Sequence, residues 1–381
     1  MIIIVVLVCY GLAPFTGALV RRYKWHKFRK RFDELRLYPV LNFQSYWRQD
    51  ADTENDDVFR ITGEFESVTD GQTLWIRNNE LTIPISLENA ESYLLPDQKN
   101  GEGAEGDEPG EDPPEKLRWG KISSITEGAR VFAGGTLKNI NGRRSFISTK
   151  ENPLIVLFYN GSDRSVPTRV MRSCRRWNEY WNFLTPYSLV IGALCLIVMA
   201  VLYQARPAFR LTVIVSFMAM FIPLYPFIPP GLLFTVIFRR LGWRAGILRA
   251  YRDLARLPLR YLTGPENLLP GGEKYGFIRC SELPPEARDG GIPLLLSEFA
   301  KTPAGGQYYF FGTMNDGTTP GIPDDPFTTF GILPGEPAIL ARRCAVNAYI
   351  MEAAAWIFLL AGIALNIFFV GIILSLFGVL F

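Results

Sequence analysis

RRYKWHKFRKRFDELRLYP, residues 21–39, follows directly on MIIIVVLVCYGLAPFTGALV, residues 1–20. Seven of the eleven positions from Arg21 to Arg31 are basic: Arg21, Arg22, Lys24, Lys27, Arg29, Lys30 and Arg31. An apolar run closed by dense positive charge has the form of a membrane helix ending at a headgroup layer. About 20 residues at ~1.5 Å rise cross the ~30 Å hydrocarbon core, and Lys and Arg collect on the cytoplasmic flank. A cleaved signal peptide would carry its charge before the apolar run. Here the charge comes after it, so residues 1–20 are expected to remain as an anchor.

The chain of 381 residues is long enough for two domains, and 48% of it is hydrophobic. Those residues gather in four blocks: 1–20, 187–203, 211–238 and the greater part of 342–381. Runs this long exceed the 10 to 14 residues, roughly, of a buried soluble helix, so four transmembrane helices are expected. Net charge is only +3, which gives no sign of a nucleic-acid partner.

The distribution of charge predicts orientation. Arg169, Arg172, Arg175 and Arg176 precede the second block, Arg239, Arg240 and Arg244 follow the third, and Arg342 and Arg343 precede the fourth. The connection QARPAFR between the second and third has only Arg206 and Arg210. With the N-terminus outside, every dense cluster is cytoplasmic. The expected setting is a bacterial inner membrane with both polar segments cytoplasmic and the C-terminus outside. Trp177, Tyr180, Trp181 and Tyr187 at the mouth of the second block suit the headgroup layer. The basic residues named, with Trp177 and Trp181, form the candidate headgroup-facing set. Each exposed cation near an anionic leaflet contributes ~1 kcal/mol, and the competing reading of them is topology alone.

Pro223, Pro226, Pro229 and Pro230 fall inside the third block and must bend its helix. A broken, substrate-binding helix is one reading. Glu352 near one end and the polar Asn366 are the chief polar groups in the spans, so a kinked structural helix is the expectation.

The opening stretch has an echo. RFDELRLYPV (31–40) aligns on AYRDLARLPL (250–259), and GGTLKN (134–139) on FGTMND (311–316). FISTKENP (146–153) shares its spacing with FGILPGEP (330–337), and RRWNEY (175–180) resembles RRCAVNAY (342–349) with two residues inserted. Four matches in one order suggest an internal duplication: basic juxtamembrane helices at 21–40 and 239–260, β-rich modules at 41–168 and 261–341, and Arg-flanked interface helices at 169–186 and leading the 342–381 stretch. VFRITGEFESV, TLWIR, LTIPISL, ARVFAGGTL and PLIVLFY alternate or run β-branched, as strands do. The fold class is therefore an α+β membrane protein, with four spans and two small modules of OB-like size, barrel or sandwich. The acidic, Gly/Pro-rich stretch 97–116 reads as a disordered loop within the first module.

A module ending EGARVFAGGTLKNINGRRSFIST (127–149), followed by a basic helix and a span, resembles the membrane-flanked β domain of the GIDE/MULAN-type family. That resemblance implies a β domain between two spans. The ligands of the family's RING finger are absent, so ubiquitin-ligase activity is not implied.

Catalytic patterns are sparse. His26 is the single histidine and lies in the basic neck, where it reads as a headgroup-facing polar residue. FAGGT and PAGGQ lack the Lys-Ser/Thr of a phosphate loop. Asp316, Asp324 and Asp325 lack the spacing of a calcium loop and read as ordinary loop residues. The five cysteines form no zinc pattern. The expected function is a non-enzymatic membrane scaffold or assembly subunit, with no cofactor, metal or catalytic residue. Its expected partners are the lipid bilayer and other membrane or cytoplasmic proteins. A transporter, channel or lipid-handling protein using the third block is the alternative.

Overall fold

The computed structural model describes residues 1–48, 57–69, 72–96, 113–122, 124–140, 143–173, 180–262, 269, 272–284, 292–300, 303–314 and 319–376. The chain divides into two compact units. One comprises Met1–Lys27, Arg176–Leu248 and Ala345–Phe381; the other comprises Phe28–Arg175 and Arg249–Cys344.

The second unit is built on a closed five-stranded barrel. Its strands are β1 (Val58–Thr69), β2 (Thr73–Arg77), β3 (Thr82–Ser86), β6 (Arg130–Ile140) and β7 (Arg143–Ile147). They run in the order β1-β2-β3-β7-β6, and β6 pairs back onto β1 from Val58↔Thr136 to Glu64↔Arg130. β3 meets β7 in parallel at Ile85↔Phe146, and the remaining joints are antiparallel. One twelve-residue strand serves two partners because β1 carries a register shift between Phe65 and Ser67. A bulge bends a strand, and the bend turns β1 from β6 to β2. Gly63 sits at this corner, where a Cβ would stand 2.4 Å from the Arg77 carbonyl oxygen. Ile61, Leu74, Ile76, Ile83, Ile85 and Phe146 are fully buried inside. At ~1.5–3 kcal/mol for each large side chain, this interior dominates the module's stability.

Outside the ring, β8 (Ile155–Tyr159) adds to β6, β4 (Glu91–Leu94) to β8, and β5 (Glu115–Lys116) to β4. Residues 97–112 of the expected disordered loop lie outside the described residues. Its last part is corrected: Glu115 and Lys116 pair with Leu94 and Tyr93.

The segment 261–341 is neither barrel nor sandwich among its described residues. It forms one antiparallel sheet of β9 (Tyr275–Cys280), β10 (Tyr308–Thr313) and β11 (Gly331–Leu333), in the order β11-β10-β9. The matched sequence pieces fall on neighbouring antiparallel strands in both places, β6–β7 and β10–β11. An eight-stranded sheet closed into a barrel and a three-stranded sheet nevertheless have different topologies, so the fold does not support the expected duplication.

Three helices are long and apolar enough to cross a membrane: Ile2–Leu35, Thr185–Gln204 and Pro337–Leu376. The expected division at residue 20 is absent, because the first helix continues unbroken through the basic stretch to Leu35. The last helix likewise absorbs its interface segment. The third block, expected as one kinked span over 211–238, is broken instead. A helix at Arg210–Met220 gives way to 3-10 turns at Ile222–Phe227, and a new helix runs Gly231–Arg256 through the second basic stretch. Proline lacks the N–H that the helical ladder needs and clashes with the preceding turn, and four prolines in eight residues stop propagation. The expected interface helix at 169–186 is also corrected. Val166–Arg172 is helical, residues 174–179 lie outside the described set, and the next helix starts at Thr185.

Candidate functional site

The broken stretch shows how freed backbone groups in an apolar segment are satisfied. Pro229 and Pro230 cannot donate to the carbonyls four residues earlier, those of Tyr225 and Pro226. In hydrocarbon such groups must find partners inside the protein. Asn366, on the last helix and 2% exposed, donates from its amide to the Tyr225 oxygen at 2.6 Å and to the Ile228 oxygen at 2.9 Å. The Thr235 hydroxyl donates to the Pro226 oxygen at 2.6 Å. Gly231 admits this approach, since a Cβ there would lie 2.2 Å from the Asn366 amide nitrogen. The first helix repeats the device. Pro14 frees the Tyr10 carbonyl just after a π-helical turn at Leu7–Leu12, and the Tyr180 hydroxyl donates to it at 3.2 Å. Asn182 donates to the Pro14 carbonyl at 2.8 Å. Both proline sites are braced from a neighbouring segment.

The second unit holds a buried ionic junction. Arg60 on β1 is 1% exposed, yet it points its guanidinium at a carboxylate 265 positions away. Its Nη1 and Nη2 donate to the two Asp325 oxygens at 3.0 and 2.7 Å, and Nε donates to the Tyr38 carbonyl at 2.8 Å. Arg36, fully buried, donates to Asp33 at 2.7 Å, to the Thr329 hydroxyl at 3.1 Å and to the Leu257 carbonyl at 3.1 Å. Asp33 also takes Arg260 at 3.0 Å. Phe327 stacks on Phe132 of β6 with centroids 4.8 Å apart. Tyr261 and Tyr275 donate to the Phe327 and Thr329 carbonyls, and burial raises both phenol pKa values. Two remote polar segments are thereby one body, joined by satisfied charges.

A cleft of about 370 Å³ opens beside this junction. Val40 and Pro326 supply apolar wall, with the buried Ile61 and Leu269 behind it; Glu273, Asp324 and Asp325 supply carboxylates, with Arg60 among the lining residues. Burial, and then the charges of Asp324 and Asp325, raise the pKa of the Glu273 carboxyl above the usual carboxylate range.

The residues singled out from sequence divide into two groups. Lys24, Lys27, Lys30, Arg239, Arg240 and Arg244 are exposed, as are Trp181 and His26. Others make contacts inside the protein. Arg21 donates to the Trp181 carbonyl at 3.1 Å, Arg22 pairs with Glu352, and Arg29 is buried. Arg31 reaches the Pro153 carbonyl, Glu34 and the Tyr38 hydroxyl. Arg175, Arg176 and Trp177 lie outside the described residues. Asp325 is corrected from ordinary loop residue to the half-buried partner of the buried Arg60, while Asp316 is outside the described set. The pairing of Arg36 and Arg60 was missed. The available signal was an arginine inside the strand pattern VFRITGEF, where burial demands a carboxylate.

Compared with known families and curated proteins, the sequence matches no family model and no curated protein.

Proposed function

We propose that the chain is a non-enzymatic scaffold or assembly subunit of a membrane complex, whose barrel-plus-sheet body binds partner proteins beside the bilayer. The supporting observation is the buried junction of Arg60 with Asp325 and of Arg36 and Arg260 with Asp33. Buried ion pairs fix geometry more than they add net stability. A fixed composite surface suits recognition. Because the two polar segments are one body, they belong on one side of a membrane, and the chain between them must leave and return. The helix Thr185–Gln204 and the broken 210–238 stretch are assigned to those passages. The exposed clusters Lys24, Lys27, Lys30 and Arg239, Arg240, Arg244 support a reading in which that side is the cytoplasm of a bacterial cell and the N-terminus is outside.

The alternative, a transporter, channel or lipid-handling protein, draws on the proline break. The capped carbonyls at Tyr225, Pro226 and Ile228 favour a structural break instead, because a transport site needs such groups free for cargo. Affinity capture of the full chain from gentle detergent, followed by mass spectrometry, tests the scaffold reading. Consistent recovery of the protein alone defeats it. Flux or lipid transfer by reconstituted protein would favour the alternative.

A further inference from the structure

Two surface features meet at Asn42. On one side lies the carboxylate-edged cleft, and on the other Asn42 borders an open hollow shared with Phe43, Gln44 and Glu80. The short helix Phe43–Arg48 rises there with Phe43 51% and Trp47 66% exposed, their rings 6.0 Å apart. Large bare aromatics beside a concavity mark an interaction surface, and such rings carry much of the energy in protein recognition.

Charge selects the occupant. Arg60 neutralises Asp325, which leaves Glu273 and Asp324 in the cleft and Glu80 beside the aromatics. An anionic leaflet would be repelled by these carboxylates, so the rings do not read as bilayer anchors. Among the described residues no three such groups converge as a metal-ligand set. The accessible apolar wall of Val40 and Pro326 suits an aliphatic stem that ends in a cation. Burial and the neighbouring acids already raise the Glu273 pKa, and an incoming cation relieves that repulsion.

We propose that this surface docks a segment of a partner protein: a Lys or Arg side chain enters the cleft towards Glu273 and Asp324, and an adjacent apolar side chain rests on Phe43 and Trp47. This rests on the scaffold reading and names its partner's chemistry. The test pans a random twelve-residue peptide library, displayed on phage, against the full chain in nanodiscs. Enriched peptides are expected to carry Lys or Arg beside an aromatic or aliphatic residue. They should bind Asp324→Asn and Trp47→Ala about tenfold more weakly, and the exposed control Glu88→Gln unchanged. Trp47→Ala, at an exposed site, keeps the test open if Asp324→Asn melts early. Acidic or absent enrichment overturns the proposal, as does equal binding to the variants or competition by empty anionic vesicles. Self-association lost in Trp47→Ala would assign the surface to a second copy and also overturn it. Partners that co-purify undiminished with both variants would sink this docking site while leaving the scaffold reading intact.

Discussion

Replacing Asp325 isolates what the buried junction contributes. Its carboxylate accepts both terminal nitrogens of Arg60, whose side chain is 2% exposed, and it also accepts the Phe327 N–H and the Thr328 hydroxyl. Asp325→Asn keeps an oxygen for the turn but strands the guanidinium. Breaking a buried pair costs ~3–5 kcal/mol, and the 19% exposure of Asp325 places this case near the lower figure, because water can reach the vacated side. Asp325→Ala should lose a further ~0.5–1.5 kcal/mol for each turn bond. At ~2–4 °C per kcal/mol for a body of this size, Asp325→Asn should melt about 6–12 °C early in nanodiscs by scanning fluorimetry. Adding Arg60→Met removes the stranded charge and should restore at least half of the loss, although the Tyr38 carbonyl forfeits its donor. A single variant within ~1 kcal/mol of the parent, or a double variant no better than the single, would refute a charge-based junction.

Other outcomes follow from the same contacts. Asn366→Leu removes two bonds to carbonyls of the break and should cost ~1–3 kcal/mol, read as early thermal unfolding in detergent; unchanged melting would deny that the break is braced. Tyr159, Tyr261 and Tyr275 all have phenol pKa values raised by burial. Their contribution is full below the ordinary phenol value of ~10 and is lost as pH rises through the folded values, so stability should fall above about pH 10. Tyr275→Phe should flatten that decline despite losing its bond to the Thr329 carbonyl; an unaltered alkaline slope would contradict it. The raised Glu273 pKa works in the same direction at lower pH: its contribution is full below the ordinary carboxylate range and lost as pH rises through the folded value. Glu273→Gln should therefore gain Tm over the parent as pH rises from the ordinary carboxylate range through the raised folded value, and a gap independent of pH would argue against it.

The sequence announced where a chain is greasy, where it is basic and where it alternates, and those signals found three helices of span length and the barrel strands, while the third apolar block is broken rather than one long helix. Length and period are local properties, readable without a partner. The closure of β1 onto β6 depends on a bulge after Phe65, and no residue at 65–67 advertises a register shift. The duplication failed for a related reason. Short matches such as GGTLKN and FGTMND mark strands with glycines where a neighbour crowds the Cβ position, the Leu35 and Leu154 side chains at Gly134 and Gly135 and the Gly321 carbonyl at Gly312, a requirement that two different sheets share.

What stayed hidden was pairing over long separations. Four prolines declared that carbonyls in the third block would lose their donors, but only the fold assigns Asn366 to them, 141 positions from Tyr225. Arg60 declared a buried charge, and Asp325 supplies its partner across 265 positions. In both cases one side chain is costly alone and becomes tolerable only when a distant segment arrives. Those pairs make the chain's two units conditional on its remote halves meeting. The cleft at Asn42 shows the same dependence: it draws Val40, Asn42 and Arg60 from one segment and Glu273, Asp324 and Asp325 from another, so it exists only once both have folded together.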